Sequence, residues 1–91
     1  MRTFSRTSQF KKDVKRAEKR GNELSKLRTV LDLLIEGEPL PPQLRDHPLR
    51  GEFAGSRDCH IEPDWVLIYS LTENGAHVRF ERTGTHSDLF R

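Results

Sequence analysis

The stretch Trp65–Leu71, WVLIYSL, limits the possible folds of this chain more than any other. It has no charge and no polar–apolar alternation, and it is rich in aromatic and branched side chains. A strand with one face in water alternates, whereas a continuous apolar run of this length marks a central strand covered on both faces. It is also far short of the roughly 20 apolar residues that a membrane-crossing helix needs. The chain must therefore supply one layer above this strand and another below it, from only 91 residues. With 33% hydrophobic and 33% charged residues the core is small. A partner that covered apolar surface would add to its stability.

The flanking sequence supplies the remaining elements. Residues 2–6, RTFSR, alternate around Phe4 and read as a short strand. Ser8 is a candidate cap for a helix over residues 8–20, with Phe10, Val14 and Ala17 on one narrow face. Gly21-Asn22 breaks that helix. Leu24, Leu27, Val30, Leu31, Leu34 and Ile35 then form a wide apolar stripe, so the second helix is a core element. GEPLPP at residues 37–42 ends it, and an extended loop carries DHPL at 46–49. Residues 51–60 read as a short strand, and Asn74-Gly75 marks a hairpin turn after the central strand. Residues 76–83 alternate, with Val78 and Phe80 inward and His77, Arg79 and Glu81 outward. The predicted fold is α+β in the order β-α-α-β-β-β: a helical hairpin packed on a small antiparallel sheet, as one domain over 1–91.

Charge is unevenly distributed. Residues 1–30 hold ten Lys/Arg against three Asp/Glu, a balance of +7, while residues 31–91 hold six against eleven, a balance of −5. Most of the first helix outside its apolar face is basic: Lys11, Lys12, Lys15, Arg16, Lys19 and Arg20. Such a block is either a surface for a polyanion or a solvated helix face. The lone cysteine, Cys59, excludes an internal disulfide and fits a reducing compartment. MRTFSRTSQFKK has no apolar run of secretory type, so a cytoplasmic protein without membrane association is expected.

Chemistry concentrates where RDCHIEPDW, residues 57–65, meets the central strand. His60 ends one strand and Asp64 starts the next, so the Ile-Glu-Pro link brings both to one sheet edge. His47 lies in the preceding loop and His86 follows the last strand. Histidine titrates near pH 6.5, so one imidazole can accept a proton while another donates one. RNA cleavage by its own 2′-hydroxyl needs that pair, with a cation for the phosphorane. Arg57 and Arg79 are candidate cations, and Trp65 and Phe90 could stack on unpaired bases. Plainer readings stand beside these: Trp65 as core, Phe90 as an apolar plug, and Asp46 and Asp58 as turn or capping residues. His47, His60, Asp64 and His86 could also be N/O metal ligands, although no His-x-x-x-His or cysteine pairing supports a metal.

DHPL (46–49), G-E-F-x-G-x-RD-x-H-x-EPDW-x-LIY (51–69) and RFERTGTHSDLF (79–90) resemble the YafQ family of bacterial toxins. That family lies within the RelE/ParE superfamily of type II toxin–antitoxin modules. Phe53 departs from the pattern, which has tryptophan there. The resemblance implies a ribosome-dependent mRNA endonuclease that needs no cofactor. It would cut the A-site codon by 2′-OH attack, leaving a 2′,3′-cyclic phosphate and a 5′-hydroxyl. The implied active set is His47, His60, Asp64 and His86, with Trp65 and Phe90 shaping the substrate pocket. His86 would be the acid, and His47 or His60 the base. The basic helix face would dock on ribosomal RNA, and a cognate antitoxin with a disordered acidic or amphipathic segment would cover the toxin. Two other functions remain open at this point: a gyrase poison without nuclease chemistry, and a ribosome-binding protein whose histidines only contact phosphates.

Overall fold

The computed structural model describes residues 1–90. Its strands are β1 (Thr3–Arg6), β2 (His47–Pro48), β3 (Arg57–Glu62), β4 (Trp65–Thr72) and β5 (His77–Gly84). Helices α1 (Ser8–Lys19) and α2 (Leu24–Glu36) follow β1, and a single turn, α3 (His86–Leu89), follows β5. The sheet order is β1-β5-β4-β3-β2, so β4 is central, as its composition requires. The expected α+β fold with a helical hairpin on a sheet is found. Two short elements escaped the sequence: β2, which is only two residues long, and α3. The sheet is antiparallel except at one edge, where β1 pairs parallel with β5. His77 secures that edge by bonding the Thr3 and Ser5 hydroxyls at 2.6 and 2.9 Å.

Alternate residues of β4 enter two separate cores. Trp65, Leu67 and Tyr69 join Cys59, Val78 and Phe80 against Phe10 and Ala17 of α1 and Leu27, Val30 and Leu34 of α2. Val66 and Ile68 face the other way, onto Leu89 and the half-buried Leu49 and Phe53. Burying each large aliphatic side chain contributes about 1.5–3 kcal/mol. The second layer is therefore built from loop and tail residues rather than from a further helix pair.

Thr7, not Ser8, caps α1, its hydroxyl accepting from the Phe10 N–H at 2.9 Å. α2 ends where Gly37 turns left-handed at φ 77°, a conformation that other residues adopt only with strain. The buried face of α1 also holds a charge, Asp13, 1% exposed. Its carboxylate accepts from Arg82 Nε at 2.7 Å, the Thr83 N–H at 3.1 Å, Arg16 at 3.1 Å and Gln9 at 3.1 Å. A buried ion is tolerable only when its bonding capacity is met in this way. Asp13→Ala leaves Arg82 and the Thr83 N–H without their acceptor and is expected to cost about 3–5 kcal/mol, read as a lower urea midpoint with unchanged m-value.

Candidate active site

The face of β4 that carries Val66 and Ile68 also gathers the histidines. Residues opposite one another in an antiparallel pair share a face. His60 pairs with Val66, Asp58 with Ile68, and His47 with Asp58, so all three lie on the Val66/Ile68 side. The chain then passes through β5 and turns at Thr85, whose side chain forms a capping box with Asp88 and starts α3 at His86. The result is a row of imidazoles. Ring centroids are 6.3 Å apart from His47 to His60 and 5.2 Å apart from His60 to His86. His86 continues onto Phe90 at 6.1 Å, and Phe90 meets Phe53 edge-on at 5.7 Å.

Hydrogen bonds fix which ring nitrogens are free. Asp64 Oδ1 accepts from the His86 backbone N–H at 2.9 Å and from its Nδ1 at 2.6 Å. A carboxylate can only accept, so Nδ1 carries the proton and Nε2 is left without a hydrogen bond among the described residues. Those two bonds, the backbone one first, hold Asp64 below the usual carboxylate range. At the other end, His47 Nδ1 is 2.7 Å from the Arg45 carbonyl oxygen and 3.1 Å from Asp58 Oδ1. Both neighbours are acceptors, so His47 likewise carries its proton on Nδ1 and leaves Nε2 open. Asp58 is 4% exposed, and burial pushes its carboxyl up while His47, His60 and His86 pull it back. Burial also pushes the Cys59 thiol up to about 12, so it stays protonated and is no nucleophile. A groove of about 410 Å³ opens beside His60, lined by Gln43, Leu44, Arg45 and Ile61–Pro63.

This combination of sequence and geometry has close counterparts. A family model described as a bacterial toxin of a type II toxin–antitoxin system, YafQ, matches residues 2–91. The chain belongs to the YafQ family. The mRNA interferase toxin YafQ of Escherichia coli is 50% identical over 90 residues, covering 98% of this chain and 96% of its own. A crystal structure of E. coli YafQ superposes with a TM-score of 0.93 at 48% identity, covering both chains fully. YafQ in the E. coli DinJ–YafQ toxin–antitoxin complex gives 0.90 at 49% identity, covering 99% of this chain and 98% of that one.

Of the residues expected at this toxin's centre, His47, His60, Asp64, His86 and Phe90 share the site. Trp65 does not: it is 2% exposed and its indole N–H donates to Thr83 Oγ1 at 3.0 Å inside the core. It has no face to offer a base. Arg57 is also misplaced by the sequence reading. It pairs in register with Tyr69 on the helix side of the sheet and is bound to Asp46 at 3.2 Å. Arg79 is exposed and pairs loosely with Glu81 at 3.6 Å, away from the histidine row. Among the described residues, no group of three or more His, Cys, Asp or Glu side chains is arranged to hold a metal ion.

Two residues of the site were passed over. Arg45 lines the groove with His60, and nothing in its neighbourhood of the sequence signals that. Asp58 could have been found, because strict alternation of RDCHIE puts Asp58 and His60 on one face and Cys59 on the other. The basic helix also needs revision. Arg16 and Arg20 are bound to Asp88 at 3.5 and 2.7 Å, while Lys11, Lys12, Lys15 and Lys19 remain exposed.

The Asp88 anchor makes α3 pH-sensitive. The Arg20 guanidinium, then the Thr85 N–H and hydroxyl, hold its carboxyl far below the usual range. A depressed carboxyl contributes stability that is complete above its unfolded value of about 3.9 and is lost as the pH falls toward the folded one. Stability measured by urea unfolding should therefore fall steeply below about pH 4, and Asp88→Asn should flatten that slope while lowering stability at neutral pH.

Proposed function

We propose that this toxin is an mRNA interferase, an endoribonuclease that cleaves messenger RNA in the ribosomal A site and so stops translation. One observation carries the reading: a row of three imidazoles whose two ends each present a free Nε2, one of them backed by Asp64. In-line attack by a 2′-hydroxyl needs a base on one side of the phosphorus and an acid on the other. His47 Nε2, with His60 next to it, takes the 2′-OH proton. The 2′-oxygen then attacks phosphorus, and the P–O5′ bond breaks. His86 gives its Nε2 proton to the departing 5′-oxygen, leaving a 2′,3′-cyclic phosphate and a 5′-hydroxyl. Asp64 holds the His86 ring in orientation and supplies a negative charge for the imidazolium, the form with a proton to give. Arg45, beside His60, takes the phosphate role expected of Arg57, and Phe90 with Phe53 offers an aromatic surface to a base.

The same reading covers the partners. The exposed Lys11, Lys12, Lys15 and Lys19 form the surface that docks on ribosomal RNA. The E. coli relative crystallised with DinJ supports a cognate antitoxin for this chain. Residues 1–91 act as a single toxin domain in the bacterial cytoplasm. Among the described residues no helix is long and apolar enough to cross a membrane.

Primer extension on translated mRNA tests the assignment. Codon-spaced cuts that require ribosomes are expected, and His86→Ala should slow them by about 10²- to 10⁴-fold. Gyrase inhibition with intact mRNA would overturn the reading in favour of a gyrase poison. Charge reversal at Lys11, Lys15 and Lys19 should weaken ribosome binding and reduce the salt slope by about 0.7 to 0.9 per lost contact, with the fold preserved in circular dichroism.

A further inference from the structure

Asp58 is the one buried side-chain polar atom site, at Oδ1, without a hydrogen-bond partner among the described residues. Native interiors keep few such groups, because an unpaired buried acceptor costs its full desolvation. Asp58 is not short of neighbours. His47, its register partner across β2 and β3, presents Nδ1 at 3.1 Å. That nitrogen, however, aims its single N–H at the Arg45 carbonyl at 2.7 Å. The carboxylate therefore faces the ring without being satisfied by it. An unsatisfied charge held against a titratable ring is what a developing cation there would use.

We propose that Asp58 is the positioning residue for His47: its buried carboxylate faces the Nδ1 side of a ring whose N–H the Arg45 carbonyl accepts, and it stabilises the imidazolium that forms when Nε2 takes the 2′-hydroxyl proton. This rests on the reading of the site as a 2′-OH cleavage centre. The proton moves from the 2′-oxygen to His47 Nε2, and Asp58 itself takes none. Before the transfer Oδ1 faces a neutral ring, and after it the same 3.1 Å separation brings opposite charges together. The gain is thus made at the moment of reaction, without reorganisation. His60 and His86 also face Asp58, and Asp46 stands nearby with its charge occupied by Arg57.

The two ends of the row then differ in kind. Asp64, with a side chain 68% exposed, accepts two hydrogen bonds from His86, whereas the Asp58 side chain is 5% exposed and its Oδ1 receives none from His47. A satisfied pair suits the residue that starts as a cation, and an unsatisfied one suits the residue that becomes a cation. Environment thereby assigns acid and base to chemically identical partners.

Asp58→Asn keeps the shape and removes the charge. Single-turnover cleavage on programmed ribosomes should fall on the order of 100-fold, the low end of what a positioned base contributes, while ribosome affinity is unchanged. In a His47→Ala background the same substitution should add no further loss, because Asp58 acts through that ring. Nitrogen-15 NMR of the free wild-type toxin should show His47 as the Nδ1–H tautomer, the one whose protonated nitrogen lies against both the Arg45 carbonyl and Asp58. Unchanged cleavage in Asp58→Asn, or multiplicative losses with His47→Ala, would overturn the proposal. So would a wild-type Nε2–H tautomer, which also decides the matter if the variant does not fold. Wild-type protein that cut no mRNA would remove the cleavage reading, while the tautomer would still report on the Asp58–His47 pair.

Discussion

Almost wholly buried, Asp13 takes hydrogen bonds from Arg82, Arg16, Gln9 and the Thr83 backbone and so ties the first helix to the far end of the last strand. That end is where the chain must turn to place His86. Arg16 spans from Asp13 to Asp88, and Arg20 grips Asp88 beside it. One carboxylate thus organises a relay of charges that ends at the capping turn of α3. The long lever from helix to His86 is held by ions whose partners are all accounted for. Gly84 fits this picture, since a side chain there would come within 2.9 Å of Arg16 and 2.8 Å of Asp88.

The central strand separates two tasks. Its helix-facing side, Trp65, Leu67 and Tyr69, belongs to the main core and sets stability. Its other side, Val66 and Ile68, is a small floor under Leu49, Phe53 and Leu89, the loop and tail residues flanking the histidines. Burial of β4 on both faces is the reason that a chain this short can carry a rigid site. A strand packed on one face only would leave the loop and tail segments that flank His47 and His86 without a floor. Precision in acid–base chemistry requires rings locked by their surroundings, and here the surroundings are a floor plus a hydrogen bond to each outer ring.

Much of this was legible from the residues. The unbroken apolar run identified the central strand, Asn74-Gly75 its hairpin, and the Ile-Glu-Pro link the approach of His60 and Asp64 to one edge. The tail was not legible, because α3 is one turn long and is specified by a capping box and distant arginines rather than by any period. The two-residue β2 was hidden for the same reason. Trp65 and Arg57 were misjudged because residue type suggested contact with RNA, whereas strand parity put both on the helix side. The basic helix concealed its own pairing, since Asp88, which binds Arg20 and adds to Asp13 on Arg16, comes from a segment far along the chain.

The parallel pairing of β1 with β5 joins residues 3–6 to residues 77–80. A contact of that sequence separation carries a large loop-closure cost and is slow to form. During synthesis from the N-terminus, the first strand must wait for almost the whole chain, and so must the histidine row, whose members run from residue 47 to residue 86. A product terminated before β5 lacks both a closed sheet edge and His86. Order of synthesis thus completes the sheet edge and the histidine row only with the last strand and tail.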